Sequence, residues 1–349
     1  MKPSSRQNSE PDSTFMVKLL TIIIASLATA CAAADEPNAF AVNKLIGRGV
    51  NIGNALEAPS EGEWGVTLQE EYFQKIKDAG FDSIRLPVRW NAHVSNEPPY
   101  VIEPNFFKRI DWAIQNSLSR NLPVVLTTHH YNELYNDPAG QKERFLAIWK
   151  QIAEHYKNYP HILVFEPLNE PHDNLNADEW NSLVKEVLAV IRQSNPKRTV
   201  VFGAINYNDI RRLNTLDLPK DDRNIIVTAH YYLPYEFTHQ GAHWAADSNA
   251  WMGTKWTGSE DEKQRIAKDF DIAAEWGKKN NRPIYLNEFG VYEKADMESR
   301  ARYTKFVADA AIERGFSFHY WQFDSDFAVY DIEKKTCIKP LLDALLAPR

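Results

Sequence analysis

Two glutamates each follow an asparagine at the end of a short apolar run: Asn169–Glu170 in "ILVFEPLNE" and Asn287–Glu288 in "PIYLNEF". Two carboxyl groups brought face to face can cleave a glycosidic bond, one donating a proton while the other attacks the sugar carbon or activates water. A third glutamate, Glu166, stands inside the first of these runs, ahead of Leu168. That position suits a buried structural carboxylate in a hydrogen-bond network better than a reacting one. Arg85, in "DSIRLPV", has a matching physical task. A nucleophilic carboxylate must stay ionised in a partly dry pocket, and a nearby guanidinium lowers its pKa.

These residues need elements to carry them, and the chain supplies a regular series. Strand-like runs recur as "LIGRGVNIG", "DSIRLPV", "PVVLTTHH", "ILVFEPLNE", "TVVFGAIN", "NIIVTAHYY", "PIYLNEF" and "FSFHYWQF". Amphipathic segments fill the gaps, among them 68–79, 107–119, 143–156, 177–194, 262–279 and 298–314, with apolar residues at three- and four-residue spacing. Gly80 and Gly315 follow two of them as C-terminal stops. Eight strand–helix units without a Gly-x-Gly-x-x-Gly fingerprint predict an α/β protein with a single (β/α)8 TIM barrel. The long gap at 233–261, with Trp244, Trp251 and Trp256 and little helical pattern, reads as a functional loop.

Barrel enzymes keep their chemistry at the C-terminal ends of the strands. Polar and aromatic residues gather at those ends here: Arg85 and Arg89 after the second run, His129 and His130 after the third, Asn169–Glu170 after the fourth. His230 and Tyr232 follow the sixth, Asn287–Glu288 the seventh and Trp321 the eighth. Glu170 and Glu288 would therefore face each other across the mouth. Arg89, on a loop, suits a salt bridge or solvent. Pleat alternation sends His129 and His130 to opposite faces, favouring His129 for the mouth and a packed, hydrogen-bonded place for His130. Trp64 and Trp244, on loops, suit stacking against sugar rings.

The 349 residues are 44% hydrophobic and 25% charged, with a formal net charge of −7. That balance, without a Lys/Arg cluster, excludes a nucleic-acid surface. Residues 1–34 are read as an N-terminal extension and signal peptide, with Met16 as the expected true start and cleavage after Ala34. The leader's apolar run is too short for a stable membrane span, so the protein is expected to be secreted or periplasmic. Cys31 offers a lipid-anchored alternative, weakened by Ala28 where such sites prefer Leu. Residues 35–349 are expected to form one catalytic domain, a monomer without an internal disulfide, since Cys337 is then alone.

In order along residues 45 to 325, the motifs "GVNIGNALEAPSEGEWG", "IRLPVRW", "HHY", "LNEP", "HYYLPYEFTHQGAHW", "LNEFG" and "YWQFD" resemble glycoside hydrolase family 5, the cellulase family, and in particular its compact bacterial endo-β-1,4-glucanases. The resemblance implies a retaining endo-β-glycosidase acting on β-1,4-glucan, with Glu170 as acid/base and Glu288 as nucleophile. Mannan, xyloglucan and β-1,3-glucan are alternatives on the same scaffold, and an inactive polysaccharide-binding barrel is an alternative of another class. By the same resemblance Asn169 would bond the sugar 2-hydroxyl, and Arg85 and Tyr232 would hold Glu288. His129 and His230 would bind substrate and tune the acid, and Trp321 would lie under the reacting sugar. No cofactor and no metal are implied. His239 and His243 have the spacing of a helical zinc pair, but Gly241 lies between them and no helical periodicity supports it. "DSDFAVYDIEKK", 324–335, starts like a calcium loop but lacks its Gly and terminal Glu, so an acidic surface loop is expected.

Overall fold

The computed structural model describes residues 38–347; the leader, its cleavage site and Cys31 lie outside them. Eight parallel strands close into a barrel in chain order: β1 (Arg48–Asn51), β2 (Ile84–Val88), β3 (Val124–Thr128), β4 (Leu163–Glu166), β5 (Val200–Gly203), β6 (Ile225–His230), β7 (Ile284–Glu288) and β8 (Ser317–Tyr320). Helices alternate with most of them. The α/β reading and the single (β/α)8 TIM barrel are what the structure has.

Pleat alternation sorts the strand residues into two layers. Outward residues such as Val124, Leu126, Phe165, Phe202, Val227 and Leu286 join the main core under the helices. Inward residues Val125, Val164, Val201, Ile226 and Tyr285 form a separate apolar cluster with Ala39, Val42 and Ile46 of the helix Ala39–Ile46. That helix, started by Asn38 accepting the Ala41 N–H, packs against the barrel interior as an apolar plug.

The long helices follow the sequence closely. Ala177–Ser194 has the predicted bounds and buries Trp180, Leu183, Val184, Val187, Leu188 and Ile191, one face at three- and four-residue spacing. Asn176 caps it by accepting from Asp178 and Glu179 N–H. Glu260–Asn280 starts two residues earlier than predicted, because Ser259 and Glu262 form a capping box. Gly80 ends its helix with φ 96°, its N–H reaching Ile76 and Lys77 carbonyls.

Strand ends are shorter than the apolar runs suggest. Arg85 is the second residue of β2, inside the barrel, and not after it. β4 stops at Glu166, leaving Asn169–Glu170 on the following loop, and β5 stops at Gly203. His130 leaves the strand with φ 60°, so pleat alternation does not govern it. Its ring packs edge-on against His129 at 4.4 Å and Trp64 at 5.4 Å, as a packed histidine should, but it is half-buried and makes no hydrogen bond among the described residues. Arg89 is half-buried and makes no ion pair among the described residues. Among those residues no helix is long and apolar enough to cross a membrane.

The segment after β8 is a surface loop only in its second half, where 333–336 are exposed. Asp324, Phe327, Val329 and Tyr330 are buried, and a small hairpin pairs Tyr330–Asp331 with Thr336–Cys337. Asp324 is 1% exposed, and neither carboxylate oxygen has a side-chain or backbone partner beyond its own residue. Burial pushes its pKa up to about 7. The folded state therefore holds a proton that the unfolded state releases near pH 4, so this contribution to stability is complete at low pH and is lost as pH rises through about 7. In thermal melts across pH 4 to 9, Asp324→Asn should flatten the decline of the wild type between about pH 4 and 7 and leave the alkaline side unchanged; parallel curves for the two proteins would contradict this.

Candidate active site

Above the apolar plug, the inward face of the barrel turns polar. Arg85 is fully buried there and satisfies its guanidinium with five bonds. Nε and Nη2 donate to Glu166 Oε2 and Oε1 at 2.7 and 2.9 Å, a bidentate pair. Nη1 donates to Glu288 Oε1 at 2.6 Å and to Asn51 Oδ1 at 2.9 Å, and Nη2 to Asn169 Oδ1 at 2.7 Å. Asn287 Nδ2 closes the network by donating to Glu166 Oε1 at 2.9 Å. Glu166 thus takes the structural place expected of it, and one guanidinium joins β1, β2, β4 and β7.

The two candidate reacting carboxyls meet at the rim. Glu170, His230 and Glu288 each offer an atom within 4.8 Å of the others. His230 Nδ1 lies 2.6 Å from Glu170 Oε1 and 3.5 Å from Glu288 Oε2. Glu288 also accepts from the Tyr232 hydroxyl at 3.1 Å. A register shift between Ala229 and His230 sets His230 opposite Glu288, which lets both Asn287 and Glu288 reach the interior. Glu170 reaches the mouth by another route: its backbone is left-handed, φ 46°, a conformation that costs a residue with a Cβ roughly 1–3 kcal/mol. Tyr135 donates to the Asn169 carbonyl at 2.6 Å, and the His172 ring bonds the Glu170 carbonyl, anchoring the turn on both sides.

Their environments separate the two acids. The Glu170 side chain is 26% exposed and Glu288 only 6%. Burial pushes Glu170 up to about 7, against the pull of His172 and Arg85. Burial also raises Glu288, opposed by His230 and Arg85, and only Glu288 has a guanidinium and a phenol bonded to its oxygens. The negative charge therefore rests on Glu288 first and the proton on Glu170. His230 and His130 are pushed down to about 4, and His129 well down, each chiefly by burial, so all three are neutral near pH 7.

Aromatic rings line the approach. Trp321 stacks on His129 with centroids 5.6 Å apart and planes 10° from parallel. Trp64 and Trp244 are 38% and 49% exposed, as their loop positions suggest, and Trp244 rests edge-on against Tyr292. Trp256 is core, buried against Tyr303. His239 stacks on Tyr235 and is buried, while His243 is exposed beside Trp244, so the two are not arranged as a ligand pair on a helix. A concavity of about 870 Å³ opens at the opposite end of the barrel between Phe40, Arg48, Ile284 and Ser317, away from the carboxyls.

Some residues of the site carried no sequence signal. Asn51 is identifiable only through its bond to Arg85, while Asn287, marked in the sequence by its place before Glu288, takes its structural role from the bond to Glu166. Glu57 is fully buried on the loop after β1, accepts the Asn54 and Ala55 N–H groups, and is raised to about 8, chiefly by burial and least by Glu288.

A closed barrel with an acid and an anion facing each other across its C-terminal mouth is the arrangement of a barrel glycosidase. The family model described as Cellulase (glycosyl hydrolase family 5) matches residues 47–326. Endoglucanase H of Acetivibrio thermocellus is 37% identical over 315 residues, covering 88% of this chain and 34% of that protein. Among solved structures, Cel5A of Thermotoga maritima in complex with mannotriose substrate is 51% identical, covers 88% of this chain and 100% of its own, and superposes with a TM-score of 0.87. A hyperthermophilic endo-β-1,4-glucanase in complex with substrate is 46% identical, covers 89% and 100%, and has a TM-score of 0.88. The chain belongs to the cellulase family, glycosyl hydrolase family 5. It spans about a third of the length of the first curated relatives it matches.

Removing Arg85 strands two buried carboxylates. Arg85→Ala should cost about 3–5 kcal/mol in urea unfolding, the scale of a broken buried ion pair, and Glu166→Gln much less, because an amide is not left charged. Equal, small losses for both would show that the guanidinium does not hold the network.

Proposed function

We propose that this protein hydrolyses internal β-1,4 bonds of glucan with net retention, Glu170 serving as acid/base and Glu288 as nucleophile. The observation that carries the reading is the approach of the two carboxyls, with oxygens within 4.8 Å. Retaining enzymes hold them about 5–5.5 Å apart, whereas inversion needs room for a water and about 6.5–9.5 Å.

In the first step a Glu288 oxygen attacks the anomeric carbon as the bond to the leaving oxygen breaks, and protonated Glu170 gives that oxygen its hydrogen. In the second, ionised Glu170 takes a proton from water, the water oxygen attacks the same carbon, and the ester to Glu288 breaks. Arg85 and Tyr232 hold Glu288 anionic and oriented. Because Arg85 engages Asn169 Oδ1, the amide NH2 is left to donate to the sugar 2-hydroxyl. Trp321, backed by His129, lies under the reacting ring, and Trp64 and Trp244 extend the stacking surface outward. His230 binds substrate and tunes Glu170. Mannan is a second candidate substrate, since the T. maritima relative was solved with mannotriose. Residues 16–34 act as an export leader, which N-terminal sequencing of the mature protein would check.

Glu288→Gln should lower kcat at least about 10³-fold on every substrate. Glu170→Gln should be nearly as damaging on β-glucan but retain fast first-step release of an activated phenol, which needs no proton. A protein that only binds polysaccharide would release no sugar in any form. Proton NMR of the first product should show the β-anomer, and initial α-anomer would refute retention. With the acid near pH 7, kcat/KM should fall as pH rises above about 7. Reducing-sugar assays on carboxymethylcellulose, mixed-linkage glucan, mannan, xylan and laminarin rank the substrates, with the two glucans expected first.

A further inference from the structure

Between β5 and β6, three consecutive residues that carry a Cβ adopt left-handed backbone: Asn206, Tyr207 and Asn208, at φ 61°, 63° and 55°. Local preference opposes such a run, so it is the surrounding structure that keeps it. Asn206 and Tyr207 project outward, but Asn208 is fully buried. Its Nδ2 lies 3.2 Å from His230 Nε2, and the adjoining Asp209 pairs with His230 as an isolated bridge. Space for the amide exists because residue 203 is glycine: a Cβ there would stand 2.1 Å from Asn208 Oδ1 and 3.1 Å from Nδ2.

We propose that Asn208 is a positioning residue that fixes the tautomer of His230, keeping the single ring hydrogen on Nδ1, where it faces Glu170 and Glu288. A neutral imidazole has one N–H and one lone pair. An amide NH2 can only donate, so Nε2 opposite it must accept, and the hydrogen is left on Nδ1. There it donates to Glu170 Oε1 at 2.6 Å, with Glu288 Oε2 at 3.5 Å as the alternative acceptor. The opposite amide orientation would put Oδ1 on Nε2 and turn the Nδ1 lone pair toward both carboxyl groups. That arrangement is tolerable while Glu170 is protonated, but it repels the anion that must form when the leaving group departs. Asn208 Oδ1 has no partner of its own, so the Nε2 contact is the one hydrogen bond this side chain makes among the described residues. The consequence for rate rests on the proposed roles of Glu170 and Glu288; the tautomer itself does not.

Nitrogen-15 NMR of the full chain labelled at histidine reads the tautomer directly, with the His230 signals assigned by their loss in His230→Gln. The wild type should show a hydrogen on Nδ1 and none on Nε2. Asn208→Gly keeps a backbone suited to left-handed φ, so the fold should persist, checked by thermal melting. Its His230 should become a mixture of tautomers, and kcat should fall about tenfold, the scale of one hydrogen bond, with KM within about twofold. Gly203→Ala, which displaces the amide, should reproduce the tautomer change. Hydrogen on Nε2 in the wild type, or a folded Asn208→Gly with unchanged tautomer, overturns the proposal. Failure of the catalytic reading alone would leave the tautomer shift in place while removing the kcat effect.

Discussion

A guanidinium with no access to water organises this barrel. Moving a cation into such an interior is expensive, and Arg85 is tolerable there only because two carboxylates and two amide oxygens surround it. The constraint also runs the other way. Glu166 and Glu288 can be ionised under burial because Arg85 is present, and Asn169 is turned by the same fork. Four strands distant in sequence are thus tied to one planar group, whose geometry a lysine could not reproduce. Glu288 and Asn169 at the mouth take their alignment from this one guanidinium.

That network needs a dry floor and a wet ceiling. The floor is the apolar cluster in which the helix Ala39–Ile46 meets Val125, Val164, Val201, Ile226 and Tyr285. The ceiling is the set of loops carrying Glu170, Tyr232, Trp321 and the exposed tryptophans. Between them, Glu170 and Glu288 differ less in chemistry than in surroundings: one is partly open beside a neutral histidine and the Asn169 amide, the other is enclosed with a cation and a phenol. Two identical side chains thereby sit in different electrostatic surroundings.

Much of this was legible beforehand, for particular reasons. Helix 177–194 was readable to the residue because its apolar face, Asn cap and strand neighbours all agree. Glu166 was readable as structural because it sits within an apolar run. Strand lengths were overestimated because apolar character continues past the last ladder bond: Leu168 is buried by the loop, not by the sheet. His130 and Asp324 were misjudged for a related reason. Alternation and hydrophilicity describe a residue within a regular element, while left-handed backbone at His130 and a covering hairpin beyond Asp324 replace that element with local geometry.

The barrel is written in the residue pattern, since a strand–helix period repeated eight times has few other ways to bury its apolar faces, and the same pattern places the acids at 170 and 288 near the ring's mouth. The fold alone set the bonds that were not anticipated, the fork of Arg85 onto Glu166 and Asn169 and the contacts of His230 and Asn51. The pairing of Arg85 with Glu166 and Glu288, of His230 with Asn208, and of Asn51 with Asn287 spans separations of 22 to 236 residues. Hydrogen-bond direction and burial at such distances follow from where strands and turns come to rest, and no local pattern of residue types encodes them.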